Sequence, residues 1–107
     1  MKLWIDDLRT PPNGFRWAKS VNSAIRFLET HEALYRNGDI PEPITLISID
    51  HDAGDYACDG GDYIKFLDYL EFTNRNYPIH LHSMNPVGVQ NMRAIIQHNG
   101  WKEVFSI

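Results

Sequence analysis

Cysteine is almost missing from this chain: Cys58 stands alone among 107 residues. A single thiol excludes an intramolecular disulfide and a thiolate metal knuckle, and it fits a reducing compartment. No apolar run approaches the roughly 18 residues needed to span a bilayer. The opening Met1-Lys2-Leu3-Trp4-Ile5-Asp6-Asp7 meets charge too early for the apolar region of a signal peptide, so a cytoplasmic location is expected. Basic stripes are also lacking, and the net charge is −4. Coating duplex DNA relies on neutralising phosphates with cations, so that role is excluded, while a small phosphorylated substrate is not. The P-loop, nucleophile-elbow and dinucleotide-binding glycine patterns are all absent. No internal repeat or low-complexity segment divides the chain.

What remains is a soluble composition, 43% hydrophobic and 22% charged, in a length suited to one domain over residues 1–107. Lys2 to Ile5 and Phe15 to Lys19 read as short strands, separated by a loop that contains Pro11-Pro12 and Asn13-Gly14. The seven residues between Asp7 and Phe15 are too few for the usual helical crossover of roughly 10–12. The second strand is thus either parallel or an antiparallel edge. Ser20 caps a helix running to about Asn37, and Gly38 stops it. Ile44 to Ile49 is an uninterrupted run without charge, as expected of a strand buried on both faces. A polar loop from Ala53 to Gly61, carrying Gly54, Gly60 and Gly61, reads as mobile. A helix from Asp62 to about Arg75 follows, then a strand from Pro78 to Ser83. Asn85-Pro86 opens a helix that ends at Asn99-Gly100, and Trp101 to Ile107 reads as a last strand. The alternation predicts an α/β domain of three layers, with a mainly parallel five-stranded sheet and helices on its faces.

Ligands in such folds sit outside the carboxyl ends of the strands. Polar residues gather at three of those ends: Asp6 and Asp7, then Asp50, His51 and Asp52, then His82, Ser83 and Asn85. Asp6, Asp7 and Asp50 would repel one another unless a cation intervenes, and a hard divalent ion, Mg²⁺ or Mn²⁺, suits an all-oxygen set. His51 and His82 make an acid/base pair or metal-ligand pair with free pKa values near 6.5. His80 alternates with His82 in one strand, deeper in the sheet, and reads as a supporting histidine. The helix start at Asn85 to Gly88 offers N–H groups to an anion, with Ser83 beside it, and Arg9 supplies a charge-assisted bond to the same phosphate. His31 and His98 lie in helical patterns without polar company, and Asp55, Asp59 and Asp62 read as loop or helix-start residues.

Asp6-Asp7, Asp50 and Ser83 resemble the site of two-component receiver domains, where paired acids hold Mg²⁺ and a third aspartate accepts phosphate. The helix between the first two strands is missing, and the usual lysine at the last strand's exit is absent, with Lys102 at its other end. A nearer resemblance is to receiver-like domains described as processing cyclic phosphates. Their motifs match Ile5-Asp6-Asp7-Leu8-Arg9, Asp50-His51-Asp52 and His82-Ser83-Met84-Asn85-Pro86-Val87-Gly88. That resemblance implies a receiver-like (flavodoxin-like) fold and action on, or recognition of, cyclic nucleotides or RNA cyclic ends. The expected site therefore has Asp6, Asp7 and Asp50 on the metal, and His51 and His82 as base and acid beside Asp50. Arg9, Ser83, Asn85 and Gly88 would bind substrate, supported by Asp52 and His80. A phosphoreceiver modified at Asp50 and a non-catalytic nucleotide-binding module are the alternatives. Oligomeric state is left open.

Overall fold

In the computed structural model, which describes residues 1–107, the chain forms a four-stranded sheet and three α-helices. The elements are β1 (Lys2–Ile5), β2 (Phe15–Ala18), α1 (Val21–Arg36), β3 (Leu46–Ile49), α2 (Ile64–Phe72), β4 (Ile79–Leu81) and α3 (Pro86–Asn99). The strand order is β2-β1-β3-β4 and every pairing is parallel. The β1–β2 connection carries no helix, and β2 is parallel to β1, which settles its direction. From β1 the chain goes first to one neighbour and then, through α1, to the other. The exits of β1 and β3 therefore flank the point where the winding reverses, the usual crevice of open α/β sheets.

Local chemistry explains the helix ends. Ser20 Oγ accepts the Ser23 N–H at 3.0 Å and so caps α1. Asn85 Oδ1 accepts the Gly88 N–H at 3.0 Å, Pro86 occupies the first turn, and Gly100 closes α3 in the left-handed region at φ 68°. The second helix stops short of Arg75, because Asn74 turns left-handed at φ 56° and ends the helical path at Phe72.

Partners in parallel register share a face. Leu3, Ile5, Ile47, Ile49 and Ile79 join residues of all three helices in one core cluster of 18 residues. The opposite face carries a row running Trp17, Trp4, Ser48, His80. No helix covers it, so the expected third layer is not formed. The β1–β2 connection lies against it instead, with the Trp4 indole N–H donating to Arg9 O at 2.8 Å.

The fifth strand is likewise not formed. Trp101 to Ile107 meets β4 at one isolated parallel bridge, Ile79 to Glu103. Trp101 reaches the core, but Phe105 and Ile107 stay exposed, and the three-residue β4 offers little edge to extend. The expected mobile loop also differs. Gly54–Cys58 is a 3-10 turn, with Asp62 accepting the Ala53 N–H at 3.1 Å and the Tyr63 N–H bonded to His51 O at 3.0 Å. Asp59 ties the loop to α1 through Ser20 Oγ at 2.7 Å and Asn22 Nδ2 at 3.0 Å. No helix is long and apolar enough to cross a membrane.

Candidate metal centre and phosphate cleft

Three carboxylates meet at the reversal point. Asp6, Asp7 and Asp50 each present an oxygen within 4.8 Å of the others. Asp6, 1% exposed, is the most tightly held. Its Oδ1 accepts the N–H groups of Leu8 and Arg9, each at 2.8 Å, and its Oδ2 meets His82 Nε2 at 2.8 Å. Burial pushes this carboxyl up, yet the Arg9 and Leu8 N–H groups and His82 outweigh it and hold it below the usual carboxylate value. Asp7 moves the other way, pushed up by burial and by the charges of Asp6 and Asp50. Its Oδ2 lies so close to Gly54 that a Cβ there would stand 2.5 Å away. Asp50 Oδ1 accepts the His51 N–H at 2.8 Å. Beneath the cluster, Tyr63 is buried with its hydroxyl donating to Lys19 O at 2.7 Å. Burial and then the charges of Asp7, Asp6 and Asp50 keep its phenol firmly protonated.

The all-oxygen donor set and the mutual repulsion registered at Asp7 both fit a hard divalent cation. Asp6, Asp7 and Asp50 are the residues that would hold it.

Beside the cluster opens a cleft of about 510 Å³, lined by Arg9, Asp50, Asp52, Ser83, Met84, Asn85 and Pro86. Arg9 Nη1 donates to His82 O at 2.8 Å, which turns the guanidinium toward the exit of β4. Ser83 Oγ accepts the Asn85 N–H at 3.1 Å and keeps its own proton to donate. A separate, more apolar groove of about 450 Å³, lined among others by Met1, Phe27, Leu34 and Ile40, involves none of these residues.

The two histidines expected to pair are bonded to different partners, and neither lines the cleft. His82 is 7% exposed at its side chain and stacks on Trp4, with ring centroids 3.8 Å apart. Burial lowers its pKa, and Asp6 and Asp50 offset this only partly. The downward shifts of Asp6 and His82 describe one state, a carboxylate accepting a bond from a neutral imidazole. His51 sits behind Asp52 and Asn85. Its Nδ1 meets Asp52 Oδ1 at 2.9 Å, while Asn85 Nδ2 lies 3.4 Å from Asp52 Oδ2. The His51 bond, opposed by burial and helped by Asn85, holds the Asp52 carboxyl below its usual value. An ionised Asp52 accepts from Nδ1–H, so in the neutral form of the ring Nε2 is the nitrogen without a proton.

Gly88, expected to bind substrate, is buried, its N–H taken by Asn85 and its Cα against the His51 ring. A Cβ there would overlap the imidazole carbons. Alanine in a helix ordinarily gains up to about 1 kcal/mol over glycine. Here overpacking is expected to reverse the sign, so Gly88→Ala should lose about 1–2 kcal/mol and displace His51. Thermal unfolding and the His51 ring resonances check this; a more stable variant with unmoved resonances would count against the contact.

Ser48 was missed by the reading of the sequence, being one hydroxyl inside an apolar run. It is 0% exposed and bonds both His80 and His82. His80, expected to support the site, thus reaches His82 only through the Ser48 hydroxyl. His31 turns out buried, its Nε2 at 2.7 Å from Glu42 O, and His98 stays exposed.

A parallel sheet in the order β2-β1-β3-β4, with an acid triad at its reversal point, defines a receiver-like α/β domain. The sequence profile of the family described as cyclic-phosphate processing receiver domain matches residues 1–98, and the chain belongs to that family. No curated protein and no solved structure matches it.

Proposed function

We propose that this domain is a metal-assisted phosphoesterase acting on cyclic phosphates, of nucleotides or of RNA ends. The observation that carries this reading is the position of Asp50, which belongs both to the acid triad and to the lining of the adjoining cleft. Asp6, Asp7 and Asp50 would hold a divalent ion, which would polarise the phosphate and lower the pKa of a water. The remaining work falls to the chain's own groups. Arg9 keeps guanidinium N–H groups beyond the one spent on His82 O, and these together with the Ser83 hydroxyl grip phosphate oxygens. Asp52, which lines the cleft, holds the adjoining His51 in the tautomer whose Nε2 takes a proton by way of a water, the ring being 16% exposed. His82 acts through Asp6 and not on the substrate, because both of its ring nitrogens are engaged within the protein.

The test is conversion of a 2′,3′-cyclic nucleotide to its monoester with Mn²⁺ or Mg²⁺, followed by chromatography. Turnover is expected from the unmodified protein, reduced about 10²–10⁴-fold in His51→Ala. Unchanged turnover in that variant would overturn the role of His51, and full turnover in chelator would remove the metal. Phosphorylation at Asp50 is less well supported, because Lys102 lies beside Ile79 at the opening of β4, away from the strand exits. A mass increment after incubation with a small phosphodonor would restore that reading. Tight binding without turnover would instead make the domain a cyclic-nucleotide sensor.

A further inference from the structure

Four side chains run in an unbroken line from the second face of the sheet to the acid triad. His80 Nδ1 lies 2.8 Å from Ser48 Oγ, Ser48 Oγ lies 2.7 Å from His82 Nδ1, and His82 Nε2 lies 2.8 Å from Asp6 Oδ2. The parallel register sets Ser48 directly opposite His80, and Trp4 stacks on the His82 ring. No buried side-chain nitrogen or oxygen is left without a partner, those of the line included.

Counting protons leaves one arrangement for a neutral His82. Asp6 is ionised and only accepts, so His82 Nε2 must carry a proton and donate it. His82 Nδ1 is then bare and must accept. Ser48 has a single hydroxyl proton, which goes to His82 Nδ1. Ser48 can therefore only accept from its other neighbour, and His80 must be protonated at Nδ1. The reverse order would require a doubly protonated His82 in a buried, aromatic-stacked position, which burial disfavours.

We propose that Ser48, oriented by His80, is a positioning residue that locks His82 in its Nε2–H tautomer and thereby fixes Asp6 for the cation. With Oδ1 held by two main-chain N–H groups and Oδ2 by His82, the Asp6 carboxylate cannot rotate. Groups that hydrogen-bond a ligating carboxylate set its orientation, and losing one typically costs 10–100-fold in metal affinity. This inference rests on the acid triad as a cation site, but not on hydrolysis of a cyclic phosphate.

The experiment needs no substrate. Long-range ¹H–¹⁵N correlation spectra of the imidazoles, recorded on the metal-free protein at pH 8, report each tautomer. His82 is expected as Nε2–H and His80 as Nδ1–H. Finding His82 as Nδ1–H, or His80 as Nε2–H, would overturn the assignment, and this measurement requires no variant. In Ser48→Ala the single His82 pattern is expected to break into a mixture, and Mn²⁺ affinity to fall about 10-fold. Ser48→Thr, which keeps the hydroxyl, is expected to restore both. Unchanged His82 signals in Ser48→Ala would end the proposal. Intact tautomers in a protein that hydrolyses no cyclic phosphate would leave it standing and would count against the phosphoesterase reading alone.

Discussion

Asp6→Ala is expected to cost the metal-free protein about 2–4 kcal/mol of stability. The buried carboxylate accepts from three separate donors, the Leu8 and Arg9 N–H groups and His82 Nε2. Its removal orphans His82 inside the sheet and frees the turn that leads to Arg9. Part of the loss is offset, since one of the charges crowding Asp7 disappears. Against a typical total of about 5–15 kcal/mol, the remaining effect is large. The midpoint of urea unfolding, at unchanged slope, reads it. A shift below about 0.5 kcal/mol would mean that water satisfies all the orphaned donors. The same residue sets a pH dependence. Its folded pKa lies below the unfolded value, so its contribution is present above the ordinary carboxylate range and is lost as pH falls through the folded pKa. Asp7, shifted upward, has the opposite sign: its ionisation costs stability as pH rises through its folded pKa.

Asp7→Asn is expected to stabilise the metal-free protein at neutral pH and to remove its response to divalent cations. Burial and the neighbouring charges of Asp6 and Asp50 both disfavour ionised Asp7. Neutralising it should gain about 0.5–1 kcal/mol, in the manner of other site residues that trade stability for function. The unmodified protein should in turn gain about 2.7 kcal/mol from Mg²⁺ or Mn²⁺ at a hundred times its dissociation constant. The stability ranking of the two proteins should therefore invert between chelator and metal. Thermal unfolding with and without the ions decides it. A less stable Asp7→Asn protein in chelator would contradict the repulsion. The absence of any shift in the unmodified protein would show that the triad does not take a cation.

Much of the site was legible before the fold. Asp6, Asp7 and Asp50 end apolar strands, and parallel α/β sheets gather such ends along one edge; the structure brings these three together. The caps at Ser20 and Asn85 were legible too, because their hydroxyl and amide groups act within three residues of their own position. Partnerships across strands were not. Ser48 looked like an interruption of an apolar run, and only its register opposite His80 shows why a buried hydroxyl is kept. The histidines illustrate the same limit: adjacent exits placed His51 and His82 near one another, but packing sends one to Asp52 and the other to Asp6.

The sequence by itself determined the alternation of strands and helices, the missing first crossover helix, the caps, and the acids at the strand exits. Each is dictated by local spacing, by turn chemistry or by the two-residue period of a strand. Tertiary structure alone decided that β2 runs parallel, that all three helices share one face, and that the C-terminal segment makes a single bridge in place of a strand. It also decided which ring nitrogens of His51, His80 and His82 are held, and by what. Those outcomes depend on groups distant in the chain competing for the same partners, and a proton count across Asp6, His82, Ser48 and His80 can be made only once they touch.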